Sequence, residues 1–205
     1  MMLTYLFVLF TFAYIFSRLL PLIYTNVKQK AIEQGNLLLS ESSSVGVFPV
    51  IAIMMFSFPA FILYLSGDIF LSLFCFCLSL VAYTDLCVRW IPDLLIYMLL
   101  AISILSVRNL DLSQLLWSSS FYLMPAILLS VYGVILKGEK WIASGDYYIF
   151  PSIGLMITPK FAATIMLVNL FLTLMLSIWV KKIPLVTVAY FTYLGYQICM
   201  LLGFI

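Results

Sequence analysis

Histidine is absent from all 205 residues, which removes Ser-His-Asp and Cys-His catalysis, most zinc sites and histidine proton relays at once. Charge is nearly as scarce. Asp, Glu, Lys and Arg together make up 9% of the chain, the net charge is only +2, and the basic residues are scattered, so no nucleic-acid surface is expected. The four cysteines, Cys75, Cys77, Cys87 and Cys199, form no CxxC pair, and they read as small polarisable packing residues with no metal or redox role. No internal repeat is visible either, so the signature of many secondary transporters is missing.

What the chain has is apolar surface. Hydrophobic residues account for 65% of it and the mean hydropathy is +1.21. The apolar stretches are continuous, not alternating, which implies helices and excludes barrel strands. The expected fold is an all-α polytopic integral membrane protein. Eight segments are expected, at about 2–24, 47–66, 68–84, 92–107, 114–136, 147–159, 161–180 and 183–204. The sixth is short, contains Pro151 and Gly154, and suits a half-length or irregular element sheltered by its neighbours. Met1 to Ile23 has no basic residue ahead of it and no small-residue cleavage site, so it reads as a first membrane helix and not as a removable signal. Residues 1–205 are taken as a single membrane domain, with 25–46 as a polar cytoplasmic connector.

Basic residues set the orientation. Lys28, Lys30, Arg89, Lys137, Lys140, Lys181 and Lys182 fall in odd-numbered loops, and Arg18 can snorkel toward the first; the even loops hold only Arg108 and Lys160. The positive-inside bias therefore places the odd loops in the cytoplasm and both termini outside, which is the periplasmic side if the membrane is a bacterial inner membrane. Asp85 then lies in the third loop region and Asp146 at the end of the fifth, on one cytoplasmic face.

These two acids and Asp93 are the ones that solvation does not explain. Each has a structural alternative: Asp85 as an interfacial charge paired with Arg89, and Asp146 as an N-cap for the sixth segment, after Gly145, where glycine permits a backbone conformation or a close approach. Asp93, after Pro92, suits the start of a helix. Taken together, Asp85 and Asp146 allow another chemistry. Two carboxylates held close in a poorly hydrated site share a proton, and such a pair hydrolyses amides: one activates water and the other donates to the carbonyl oxygen.

The flanking residues resemble a known family, the prepilin peptidases of type IV pilus and type II secretion systems, membrane aspartyl proteases of the G-x-G-D type. Asp85 followed by an apolar stretch to Ile91-Pro92-Asp93 matches the first motif, with Leu95 beyond; Ala143-Ser144-Gly145-Asp146 matches the second. Ala143 stands in place of the first glycine, and Tyr148 where lysine is frequent. The resemblance covers about residues 68–180, the peptidase core. It implies that Asp85 and Asp146 are catalytic, with Gly145, Asp93, Pro92 and Arg89 in support. It also implies a site facing the cytoplasm of a bacterial inner membrane, and a substrate that is a type IV prepilin cut just after a glycine.

No cofactor or metal is implied for cleavage. S-adenosylmethionine enters only if the methylation found in larger members is retained, and the 25–46 segment lacks the CxxC pairs that accompany it there. The partners expected are prepilin and membrane lipid, with no nucleic acid. The alternative from another class is a small ion- or proton-coupled transporter using the same two aspartates; a third is an assembly subunit without chemistry.

Overall fold

The computed structural model describes residues 2–34, 46–89, 91–107, 110–138, 141–143, 145–179 and 183–204. These residues form helices alone: α1 (Met2–Gln34), α2 (Pro49–Ser66), α3 (Ile69–Val88), α4 (Asp93–Ser106), α5 (Leu112–Lys137), α6 (Asp146–Leu155), α7 (Pro159–Ser177) and α8 (Leu185–Leu201). All eight expected segments are present, and the protein is a multi-pass membrane protein. Five helices, α1, α2, α3, α5 and α7, are long and apolar enough to cross a membrane. The expectation of about eight crossings with one short element needs adjusting, because α4, α6 and α8 have only 14, 10 and 17 residues. The expected connector also changes: α1 continues to Gln34, so residues 25–34 are helical, and 35–45 lie outside the described residues.

The helix ends follow from local chemistry. Pro49 and Pro159 open α2 and α7 at positions where a missing N–H costs nothing. Asp68 caps α3 by accepting from the N–H groups of Phe70 and Leu71 at 2.8 and 3.3 Å. Gly67 and Gly138 end α2 and α5 in the left-handed conformation, both at φ 67°.

Burial separates inner helices from outer ones. On α3 every residue from Cys77 to Asp85 is buried, and on α8 most of the helix from Leu185 to Gln197 is, so both are largely enclosed by protein. Helices α1, α5 and α7 instead show large apolar side chains such as Phe7, Leu128 and Phe171 outward, as a lipid-facing surface requires. Helix α3 packs on α2, α4 and α8; α6 packs on α4, α5 and α8. Thus α4 and α8 each touch both α3 and α6, and the space between those two helices is bridged on two sides.

Many polar groups at this depth are satisfied within the protein, whereas the buried Tyr122 hydroxyl, Ser152 hydroxyl and Asn169 Oδ1 have no partner among the described residues. Hydroxyls of Ser57, Ser79, Thr84, Ser103 and Thr173 donate to carbonyls three or four residues back on their own helices. Pro59 removes the N–H that would have bonded the Met55 carbonyl, and the Tyr190 hydroxyl of α8 donates to that oxygen instead, at 2.6 Å. The far end of α6 is treated likewise. Ser118 of α5 donates to the carbonyls of Gly154 (2.7 Å) and Ile157, Gln197 of α8 donates to Met156 O at 3.1 Å, and Thr158 N–H donates to the Tyr196 hydroxyl at 3.1 Å. Ten residues rise about 15 Å, half of a hydrocarbon core, so these partners are what permits a helix to stop there.

Candidate active site

Chain direction alternates through the bundle, so the C-terminus of α3 and the N-termini of α4, α6 and α8 gather at one end. Asp85 lies in the last turn of α3 and Asp146 is the first residue of α6. Both are buried, with 6% and 7% of their surface exposed. They are also close enough that the charge of Asp85 acts on Asp146.

Neither structural alternative accounts for them. Asp146 does not cap α6; Gly145 occupies the N-cap, and the Asp146 N–H donates to Ala143 O at 3.2 Å. Asp85 feels the charge of Arg89, but its hydrogen bonds go elsewhere. Its Oδ2 accepts from the backbone N–H of Val186 at 3.0 Å and of Thr187 at 3.2 Å, with the Thr187 hydroxyl at 3.5 Å. Val186 and Thr187 belong to the first turn of α8, whose N-cap is Pro184 and has no side-chain acceptor. A helix start leaves several N–H groups without partners, and here a carboxylate from another helix supplies the acceptor.

Asp146 lies outside the five spans, at the opening of α6. Burial first, and then the charge of Asp85, push its carboxyl up to about 7, against the pull of the Ala143 backbone. A carboxyl in that state is a proton donor at neutral pH. The arrangement therefore offers a buried pair able to hold one proton between them.

The remaining expected residues sit around this pair. Pro92 is the N-cap of α4 and Asp93 its first residue, exposed, as a helix-starting acid should be. Arg89 is exposed and terminates α3 in the left-handed region at φ 52°. Gly145 departs from expectation: its backbone is right-handed (φ −63°, ψ −34°) and a side-chain carbon built on it would meet nothing within 4 Å. Neither special conformation nor close packing requires glycine there, whereas Gly138, which ends α5, is left-handed. Tyr148 is 65% exposed on the outer side of α6, while Tyr147 is half-buried and its hydroxyl donates to Ala126 O at 3.5 Å. Among the described residues no three His, Cys, Asp or Glu side chains gather where they could hold a metal ion.

Val186 and Thr187 were not singled out by the sequence. The available signal was Pro184: a helix opening on proline, without Ser, Thr, Asp or Asn before it, needs an acceptor from elsewhere in the fold.

A helical, multi-pass membrane protein carrying two buried carboxylates at one end of its bundle is the class that fold and site define. The family model described as "Type IV leader peptidase family" matches residues 72–178, just over half of the chain, and the chain belongs to that family of peptidases. The match runs from α3 to the end of α7, so the α8 groups that bind Asp85 lie beyond it. Neither the curated proteins nor the solved structures contain a match to the chain.

Proposed function

We propose that this peptidase is an aspartyl endopeptidase that removes the leader from type IV prepilins or pilin-like proteins, with Asp85 and Asp146 as its catalytic pair. The observation that carries the proposal is the coupling of two buried carboxylates delivered by α3 and α6 to the same end of the bundle. One carboxylate, ionised, takes a proton from water as the water oxygen bonds to the scissile carbonyl carbon. The other, protonated, gives its proton to the carbonyl oxygen, forming a neutral gem-diol. Collapse of that species breaks the C–N bond; the leaving nitrogen takes up a proton, and the pair again shares one. No metal, nucleophilic side chain or S-adenosylmethionine has a part in this step.

The open space beside Gly145 suits an extended peptide lying next to Asp146. The distribution of basic residues supports a cytoplasmic site in a bacterial inner membrane, with both termini periplasmic. Co-expression with a candidate prepilin tests the proposal. Leader removal is expected with wild type and is lost in Asp85→Asn and in Asp146→Asn, each still inserted in the membrane; cleavage by either variant would sink the pair. Asp93→Asn, at an exposed helix start, retains most of the activity.

A further inference from the structure

The two carboxylates are not equivalent, and the difference lies in α8. Two donors of the first turn of α8 converge on Asp85 Oδ2, the N–H groups of Val186 and Thr187, and the Thr187 hydroxyl oxygen lies 3.5 Å from it. The same hydroxyl lies 2.7 Å from the Ala82 carbonyl of α3, to which it donates. Thr187 thus staples the start of α8 to the last turns of α3, and the staple keeps the two N–H groups on the carboxylate. Because Pro184 offers no cap of its own, Asp85 is the acceptor that this helix start has. The partial positive charge of a helix N-terminus adds to the effect. Both N–H bonds end on Oδ2.

Among the described residues Asp146 has no such cradle. Burial and the charge of Asp85 oppose its ionisation, and only the Ala143 backbone acts the other way. Among the described residues, Arg89 ends α3, Asp93 opens α4 and Lys137 ends α5, all exposed, while α2 and α8 carry no charged side chain. The other titratable groups close to Asp85 on its own helix are Tyr83 and Cys87, and α8 faces α3 with Tyr190 and Tyr193.

Resting on the aspartyl peptidase reading, we infer that the first turn of α8, held by Thr187, positions Asp85 and keeps the single negative charge of the pair there, making Asp85 the base that activates water and Asp146 the acid. Thr187 is a positioning residue: it touches no substrate and acts through Asp85.

Purified full-length protein in lipid, cleaving a prepilin, provides one test. Thr187→Val removes the hydroxyl at nearly constant shape. It is expected to lower kcat about tenfold with KM unchanged, and to move the acid limb of the kcat profile up by roughly half to one pH unit, leaving the basic limb in place. Thr187→Ser restores the wild-type acid limb. Val186→Pro, which deletes one of the N–H donors at a first-turn position where helices accept proline, shifts the acid limb in the same direction. Infrared difference spectra of the same protein read the charge without any turnover: the protonated-carboxyl band is expected to vanish in Asp146→Asn and to persist in Asp85→Asn. The opposite band pattern, or an active Thr187→Val enzyme with an unmoved acid limb, overturns the inference and leaves the peptidase reading standing. An inactive wild type in which the band still belongs to Asp146 overturns the peptidase reading instead.

Discussion

The Ser118 hydroxyl of α5 donates to the carbonyl oxygen of Gly154 on α6 at 2.7 Å, and a side-chain carbon built on Gly154 would lie only 2.8 Å from the Cα of Ser119. Helices α5 and α6 therefore touch backbone to backbone at this point, as small residues allow in membrane helices. The same contact holds the helix that begins with Asp146.

Gly154→Ala is expected to separate α5 from α6, since the obstructing atom is backbone and cannot swing away. A loss of about 1–3 kcal/mol is expected from overpacking, seen as a lower thermal midpoint in detergent. Cleavage should fall more than stability alone predicts, because Asp146 moves with its helix. Gly145→Ala, where an added carbon meets nothing within 4 Å, should leave the thermal midpoint unchanged.

Tyr190→Phe deletes the donor to the Met55 carbonyl while keeping the ring. That oxygen lost its helical partner to Pro59, so it becomes unsatisfied in a dry interior, at about 1–3 kcal/mol. In the double variant with Pro59→Ala, the restored N–H should recover most of the loss. Thermal unfolding of the two single variants and the double variant reads the coupling directly.

Cleavage is expected to decline as pH rises through about 7, the value to which burial and then the charge of Asp85 lift the Asp146 carboxyl, because above it the proton of the pair is lost. A kcat profile on a soluble prepilin fragment checks this. A rate that keeps climbing to pH 9 would assign the acid to another group.

Stability carries the same sign. The Asp146 carboxyl ionises near 3.8 in an unfolded chain and near 7 in the folded one. Between those values the folded protein holds a proton that the unfolded chain has released, so stability falls as pH rises from about 4 to about 7 and then levels off. Asp146→Asn removes that dependence. Its stability should exceed that of wild type at pH 8 by on the order of a few kcal/mol, seen as a higher thermal midpoint, and the gap should close toward pH 4. A variant that is inactive and more stable is the expected mark of a site held against its folding preference.

Arg89 ends α3 at φ 52°, a conformation that disfavours side chains with a Cβ. Arg89→Gly and Arg89→Ala both remove the charge, yet the glycine variant should be more stable by about 1 kcal/mol. Equal thermal midpoints would show that α3 does not end in this turn.

The order and number of helices were legible because continuous apolar runs leave few other choices, and so was the co-facial placement of Asp85 and Asp146, read from lysines and arginines alone. Helix lengths were less so. Helix α1 runs ten residues past the apolar stretch, since polar residues such as Gln29 can continue a helix beyond the bilayer, and α4 and α8 are shorter than their hydrophobicity implied. The partners of Asp85 could not be read locally. Val186 lies 101 residues further along the chain and contributes a backbone N–H, a group that every residue except proline possesses. Gly145 could not be read locally either: glycine permits an unusual conformation or a close approach, and only the fold shows a right-handed backbone with open space beside it.

The half-length of α6 gives the two aspartates different relations to the bilayer. A change in lipid thickness acts on a helix that reaches both interfaces, tilting or shifting it, and α3 is long enough to feel such a change. Helix α6 stops among Ser118, Gln197 and Tyr196, and takes its depth from those protein contacts. Lipid chain length thus bears on one carboxylate directly and on the other only through the helices that grip it.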